Sequence, residues 1–223
     1  MDLMPQPIII AVDGPAASGK GTLSRRVAKL YGLRYLDSGK LYRGVGWAML
    51  SQGLDPADEA KAEDTARTLD PEAVESPQLR SHEAGRAASI VAAFPGVRAQ
   101  LLHFQRSFAD EGRGAVLDGR DIGTVIFPDA PVKLFVTASP EERARRRFAE
   151  LQDQDPSLTL DTVIGQIKRR DERDQNRQVS PMKPASDAHL LDTTSLDIDA
   201  AFAAACRVID KALEEDPRFS IRT

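Results

Sequence analysis

The sequence predicts a doubly wound α/β fold, with five parallel strands in one sheet and helices on both faces. The run Ile8-Ile9-Ile10-Ala11-Val12 is β-branched and lacks polar alternation, as a strand covered on both faces requires. Short apolar segments at Leu33–Leu36, Ala115–Leu117, Val132–Val136 and His189–Leu191 each end near Asp, Ser, Gly or Thr. Helical patterns separate them. Strands that alternate with helices assemble into a parallel sheet, because each crossover helix returns the chain to the same edge.

The helical elements follow from apolar spacing. Leu23, Val27 and Leu30 recur at helical intervals, with Arg25, Arg26 and Lys29 on other faces, and Gly32 ends that helix. Val97, Leu101, Phe104 and Phe108 form a second stripe, and Ile198, Phe202, Cys206, Ile209 and Leu213 a third. Residues 53–79 are polar and interrupted by Pro, with a short Ala-rich helix as the only packing element. Residues 150–188 open on Asp153-Gln154-Asp155-Pro156-Ser157 and close on Pro181 and Pro184. Both stretches read as excursions from the sheet, at the strand ends where α/β proteins bind ligands.

The 223 residues, 41% hydrophobic and 29% charged, fit one soluble domain with a substantial core. A net charge of -4 gives no general attraction to nucleic acid or anionic membrane. Cys206 is the single cysteine, which excludes an intrachain disulfide and points to inert packing. Met1–Pro7 lacks the basic and apolar regions of a signal peptide, and no apolar run reaches the ~20 residues that span a bilayer. A cytoplasmic location is the expectation, without membrane or nucleic-acid polymer as partner, and as a monomer.

The segment Gly14-Pro15-Ala16-Ala17-Ser18-Gly19-Lys20-Gly21-Thr22 follows the first strand and opens the first helix. That context makes it a phosphate-binding loop: its backbone N–H groups can turn onto a polyphosphate, and the helix N-terminus adds partial positive charge. The fold is therefore of the P-loop NTPase type. Gly14, Ala16, Ala17, Ser18, Gly19, Lys20, Gly21 and Thr22 are the expected ATP contacts, with Lys20 reaching the β- and γ-phosphates. The general pattern places a Mg²⁺-binding hydroxyl directly after the Lys. Here that residue is Gly21, so Thr22 is expected on a phosphate oxygen. Mg²⁺ would then be held by phosphates and by waters ordered by Asp37 or Asp118, with no direct protein ligand assigned.

Two further segments, Leu36-Asp37-Ser38-Gly39-Lys40-Leu41-Tyr42-Arg43 and Asp118-Gly119-Arg120-Asp121-Ile122-Gly123-Thr124, follow the second and third strands. They should emerge at the edge that carries the loop, which lets Arg43 and Arg120 face it. An Asn-Lys-x-Asp guanine reader is absent. Leu160, Val163, Ile167, Arg170, Asp174 and Arg177 form one stripe that begins apolar and ends charged. Either those charges face inward to meet a phosphorylated ligand, or core contact ends at Ile167 and they are a solvated face. Arg143, Arg146 and Arg147 can share a helix side, whereas Arg145 reads as solvated. His82, His103, His189 and Trp47 read as surface or packing residues.

The strings GPAASGKGT, LDSGKLYR, AASIVAAFPGVR, DGRDIGT, FPDAPVKLFVTASPEERARRR and IKRRDERDQNR occur in one order across residues 8 to about 194. Together they resemble bacterial cytidylate kinase, a nucleoside monophosphate kinase family. The resemblance implies a five-stranded parallel sheet with a mobile acceptor region and a mobile helical lid. On that basis the core is 1–52, 94–148 and 189–223, the acceptor region 53–93 and the lid 149–188. The implied reaction transfers the ATP γ-phosphate, with Mg²⁺, to CMP or dCMP. The family's acceptor contacts fall on Ser38, Arg43, Ser89, Arg98, Arg120, Asp121, Arg170, Asp174 and Arg177. Ser89, Arg98 and Asp121 match positions that read cytosine, whose N4 donor beside N3 and O2 acceptors needs an acceptor and donors opposite. Arg43, Arg120 and Arg177 match the grip on the acceptor phosphate, and Arg170 and Asp174 the sugar end. Lys20, Arg120, Arg170 and Arg177 are the implied catalytic set, and Arg143, Arg146 and Arg147 resemble the lid's ATP-facing arginines, of which Arg146 is assigned to ATP.

The chain departs from the common family form in one place. An insert of short strands is replaced here by the short polar stretch of roughly Thr68 to Leu79, so the acceptor region is expected to be helical. Other small P-loop kinases, acting on UMP, AMP or shikimate, remain alternatives at this point, as does a non-catalytic ATP-binding switch.

Overall fold

The computed structural model describes residues 7–71, 76–153 and 155–219. Its centre is a five-stranded sheet in the order β2-β3-β1-β4-β5, with every pair parallel. The strands are β1 (Ile8–Asp13), β2 (Arg34–Asp37), β3 (Gly114–Gly119), β4 (Val132–Thr137) and β5 (His189–Asp192). The helices are α1 (Lys20–Tyr31), α2 (Ser38–Ser51), α3 (Glu59–Thr68), α4 (His82–Val91) and α5 (Pro95–Asp110), followed by α6 (Pro140–Leu151), α7 (Leu160–Asn176) and α8 (Ile198–Glu215).

The lack of alternation in β1 has the expected cause. Ile10 and Val12 join Val116, Val132, Leu134 and Val136 against α1 and α8, while Ile9 and Ala11 join Ala115 and Leu117 against α5. Ile10, Ala11 and Val12 are wholly buried. A side chain the size of Ile10 or Val12 contributes about 1.5–3 kcal/mol of transfer free energy when fully buried. Two expected stripes are displaced at one end. Leu30 is 59% exposed, so the buried face of α1 runs through Leu23, Val27 and Ala28. Ile198 is also exposed, and α8 is centred on Ala201, Ala205 and Ile209 with Phe202 and Leu213 beside them. Both displaced residues lie in the last or first turn of a helix, where a side chain projects past the sheet it would cover. Cys206 is half-buried on the flank of that stripe.

Register places three carboxylates at one edge. Asp13 pairs with Gly119 and Asp37 with Asp118, so β1, β2 and β3 end together. Beyond that edge α2, α3, α4 and α5 enclose a second core around Leu41, Val45, Met49, Ala62, Val91 and Leu101. There α2 meets α4 closely: a Cβ on Gly46 would lie 2.7 Å from that of Ala87. Among the described residues 53–93 holds helices and one 3-10 turn at Pro77–Arg80 but no strand; residues 72–75 lie outside them. On the other side α6 and α7 pack through Ala144, Val163 and Ile167, with Ala17 of the loop against them.

Candidate active site

The loop between β1 and α1 is shaped by close approach. Gly14 sits at φ 147°, and a Cβ there would fall 2.0 Å from the Val136 carbonyl oxygen of β4. Ala17 and Gly19 also have positive φ, at 59° and 86°, which turns successive peptide units inward. Lys20, the first residue of α1, is buried and donates a 3.3 Å hydrogen bond to the Pro15 carbonyl. Burial pushes its pKa down to about 7; Arg120 and Arg170 push the same way, against Asp118 and Asp37. Ser18 Oγ is buried without a hydrogen-bond partner. Thr22, expected on a phosphate, lies exposed on the first turn of α1.

Gly21 leaves room for a different pair. Tyr35 Oη donates a 2.6 Å bond to Asp118 Oδ2, and both atoms lie within 3.6 Å of where a Gly21 Cβ would be. Burial raises the Asp118 pKa to about 6, and the neighbouring Asp37 charge adds to the rise. Two neighbouring carboxylates at the mouth of the loop suit a hydrated cation, so these residues fit Mg²⁺ held through water and nucleotide phosphate. Asp37 also caps α2, its Oδ1 accepting from the Lys40 N–H at 3.2 Å. Among the described residues, no group of three or more His, Cys, Asp or Glu side chains could hold a metal ion.

On the acceptor side the predicted residues converge from α2, α4, α5, α7 and the turn after β3. Ser38 Oγ donates to the Asp118 carbonyl at 2.8 Å, and Arg43 Nη1 lies 4.0 Å from Asp37 Oδ2. Asp174 accepts from Ser89 Oγ at 2.7 Å and from Arg120 Nε at 3.0 Å. Asp121 is paired with Arg98 Nη2, and its other oxygen lies 3.6 Å from Arg177 Nη2. The stripe on α7 keeps its face: Val163, Ile167 and Asp174 are all buried, and the Arg177 side chain is only 5% exposed. That burial removes the solvated-face reading.

These charges are not balanced. Lys20, Arg43, Arg98, Arg120, Arg170 and Arg177 outnumber Asp37, Asp118, Asp121 and Asp174. Arg170 Nε and Arg177 Nη2 are buried without a hydrogen-bond partner. Burial, reinforced by Arg120, lowers the Arg170 pKa to about 9. A cluster of partly buried cations with buried, unsatisfied nitrogens is costly unless an anion completes it.

The arginines of α6 divide three ways. Arg146 bonds to the Ser18 carbonyl at 3.4 Å and to the Thr193 carbonyl at 2.7 Å, lying against the loop. Arg143 is buried, forks onto Asp171 at 3.1 and 2.6 Å and also donates to the Ala16 carbonyl, which makes it a brace between α7 and the loop. Arg147 pairs with Glu150 at 2.9 Å. Sequence reasoning missed Asp171, Thr193 and Asp13. Asp13 accepts the Ile122 and Gly123 N–H groups at 2.8 Å each and so fixes the turn that follows Arg120 and Asp121. Its signal was available: a carboxylate at the end of a wholly buried strand must find donors.

A family model described as cytidylate kinase matches residues 10–211. The chain is 57% identical over 204 residues to a cytidylate kinase of Paramagnetospirillum magneticum, covering 90% of this chain and 97% of that one. Identity to the cytidylate kinase of Rhodopseudomonas palustris is 55% over 203 residues, covering 91% and 96%. A solved structure of an uncharacterized protein from Eubacterium ventriosum shares the fold, with a TM-score of 0.54 at 16% identity over 91% of this chain and 98% of that one.

Proposed function

The chain belongs to the cytidylate kinase family and is a nucleoside monophosphate kinase, and from that premise we propose that it transfers the γ-phosphate of ATP to CMP or dCMP, giving ADP and CDP or dCDP. The observation that carries this reading is the partly buried cation excess opposite Lys20, with Arg170 Nε and Arg177 Nη2 buried and lacking hydrogen-bond partners. A second phosphate pocket is what a kinase with a phosphorylated acceptor requires. A switch that only binds ATP has no use for one.

In this reading residues 1–52, 94–148 and 189–223 form the core, 53–93 the acceptor region and 149–188 the lid. The backbone of Gly14–Thr22 cradles the donor, and Arg146 lies on its lid side. Arg43, Arg120 and Arg177 take the acceptor phosphate, with Ser38 at its edge. Ser89, Arg98 and Asp121 read the cytosine, while Arg170 and Asp174 meet the sugar. The attacking atom is already an anionic phosphate oxygen, so no general base is needed. Lys20, Arg120, Arg170 and Arg177 hold donor and acceptor in line and offset charge on the moving phosphoryl group, in a site from which water is excluded. Asp37 and Asp118 would hold Mg²⁺ through water, and the ion would supply further neutralisation of the phosphate oxygens. ATP and the monophosphate are the only partners required, consistent with a monomer acting in the cytoplasm. Among the described residues no helix is long and apolar enough to cross a membrane. A calorimetric titration of CMP without ATP tests the acceptor site: saturable binding is expected, and no detectable affinity contradicts the reading.

A further inference from the structure

We propose that Ser180 is a positioning residue that sets cytosine discrimination by holding Arg98, an inference that rests on the cytidylate reading above. Ser180 is buried in the segment just past α7. It has a left-handed backbone, φ 52°, one of two non-glycine residues among those described with positive φ. Holding serine there costs conformational energy, which the surroundings must offset. What the conformation achieves is visible in its contacts. Its Oγ accepts from Arg98 Nε at 3.1 Å, and its carbonyl oxygen accepts from Arg177 Nε at 2.5 Å. One residue therefore anchors the inner nitrogen of two arginines whose outer nitrogens face the two oxygens of Asp121.

The consequence for Arg98 follows from guanidinium geometry. With Nε on Ser180, Nη1 on the Ala92 carbonyl at 3.3 Å and Nη2 on Asp121, the plane of the group is fixed. Cytosine and uracil differ at N3 and at the exocyclic group on C4. Telling them apart therefore needs Arg98 and Asp121 held at one orientation, since a donor free to rotate serves either base. The carbonyl bond to Arg177 survives any side-chain change at 180. The Oγ bond does not, so the two functions of the residue can be separated.

The test compares Ser180→Ala and Ser180→Gly in the full chain, measuring KM and kcat for CMP and UMP and the urea midpoint. Glycine accepts positive φ without strain, so Ser180→Gly is expected to be more stable than Ser180→Ala, although both lose the Oγ bond. Loss of one bond to a charged donor should raise KM for CMP about tenfold in both variants, more than kcat falls, and lower the CMP-over-UMP ratio of kcat/KM by about the same factor. A role in stability alone predicts instead that Ser180→Gly keeps full discrimination. A discriminating wild type whose two variants discriminate equally well overturns the Ser180 proposal alone. A wild type that uses UMP as readily as CMP overturns the cytosine reading, and this proposal with it.

Discussion

Ser89 Oγ on α4 donates a 2.7 Å hydrogen bond to Asp174 Oδ1 near the C-terminal end of α7, joining those two helices. The other Asp174 oxygen takes Arg120 Nε at 3.0 Å, so one carboxylate ties three parts of the molecule together. Burial works against the Asp174 charge, but Arg120, Arg170 and the Ser89 hydroxyl outweigh it and hold its pKa below the ordinary value. Asp174→Ala leaves two buried guanidinium groups short of a partner. The expected loss of stability is about 3 kcal/mol, read from urea unfolding, and it should widen when CMP is added, because the variant also loses a contact to the sugar. Its contribution is present above pH ~4 and lost as pH falls below the unfolded value, so the two proteins should converge in acid.

Lys20→Met separates catalysis from folding. Burial and neighbouring arginines disfavour the Lys20 charge, so methionine should leave stability unchanged or raise it. Turnover should fall by about a thousandfold or more, because the cation that meets the transferring phosphate is gone. Near-normal kcat in a steady-state assay would contradict the assignment.

Lys20 also makes ATP binding proton-linked. Its pKa in the free protein is lowered to about 7, and a polyphosphate favours the charged form. ATP binding at pH ~8 should therefore take up a proton, and affinity should weaken as pH rises through the free-protein value towards the higher bound one. Calorimetry in buffers of different ionisation enthalpy reads this directly. A binding enthalpy independent of buffer would count against a neutralised Lys20.

How much of this was legible in the sequence depends on the kind of contact. The loop at Gly14–Thr22, the five strands and the charged end of the α7 stripe could be read because each is set by local spacing. Leu30 and Ile198 could not: periodicity gives the face of a helix, not where the sheet beneath it ends. Asp171 pairs with Arg143 across 28 residues, and Asp13 meets Gly123 across 110. Such partners depend on how elements dock. Ser180 left no local trace either, since its side-chain partner Arg98 lies 82 residues away.

Asp13 gives a prediction in pH. Burial pushes its pKa up to about 7, with Asp121 adding to the rise, while the Gly123 and Ile122 N–H groups and Arg120 oppose it. The folded protein then binds this proton more tightly than the unfolded chain, where Asp titrates near 3.9. Its contribution to stability therefore falls as pH rises from about 4 to 7. Asp13→Asn cannot titrate and loses one acceptor at every pH. The stability advantage of the wild type over Asp13→Asn should shrink by about 1–2 kcal/mol between pH ~5 and ~8. A gap that widens over that range would contradict the burial argument.

The central claim, that the buried cations opposite Lys20 receive a cytidine monophosphate, is tested most directly by coupled ADP release with ATP and a panel of CMP, dCMP, UMP, AMP and shikimate. The account predicts the highest kcat/KM for CMP or dCMP, with CMP best or joint best. A higher value for any acceptor outside that pair would contradict it.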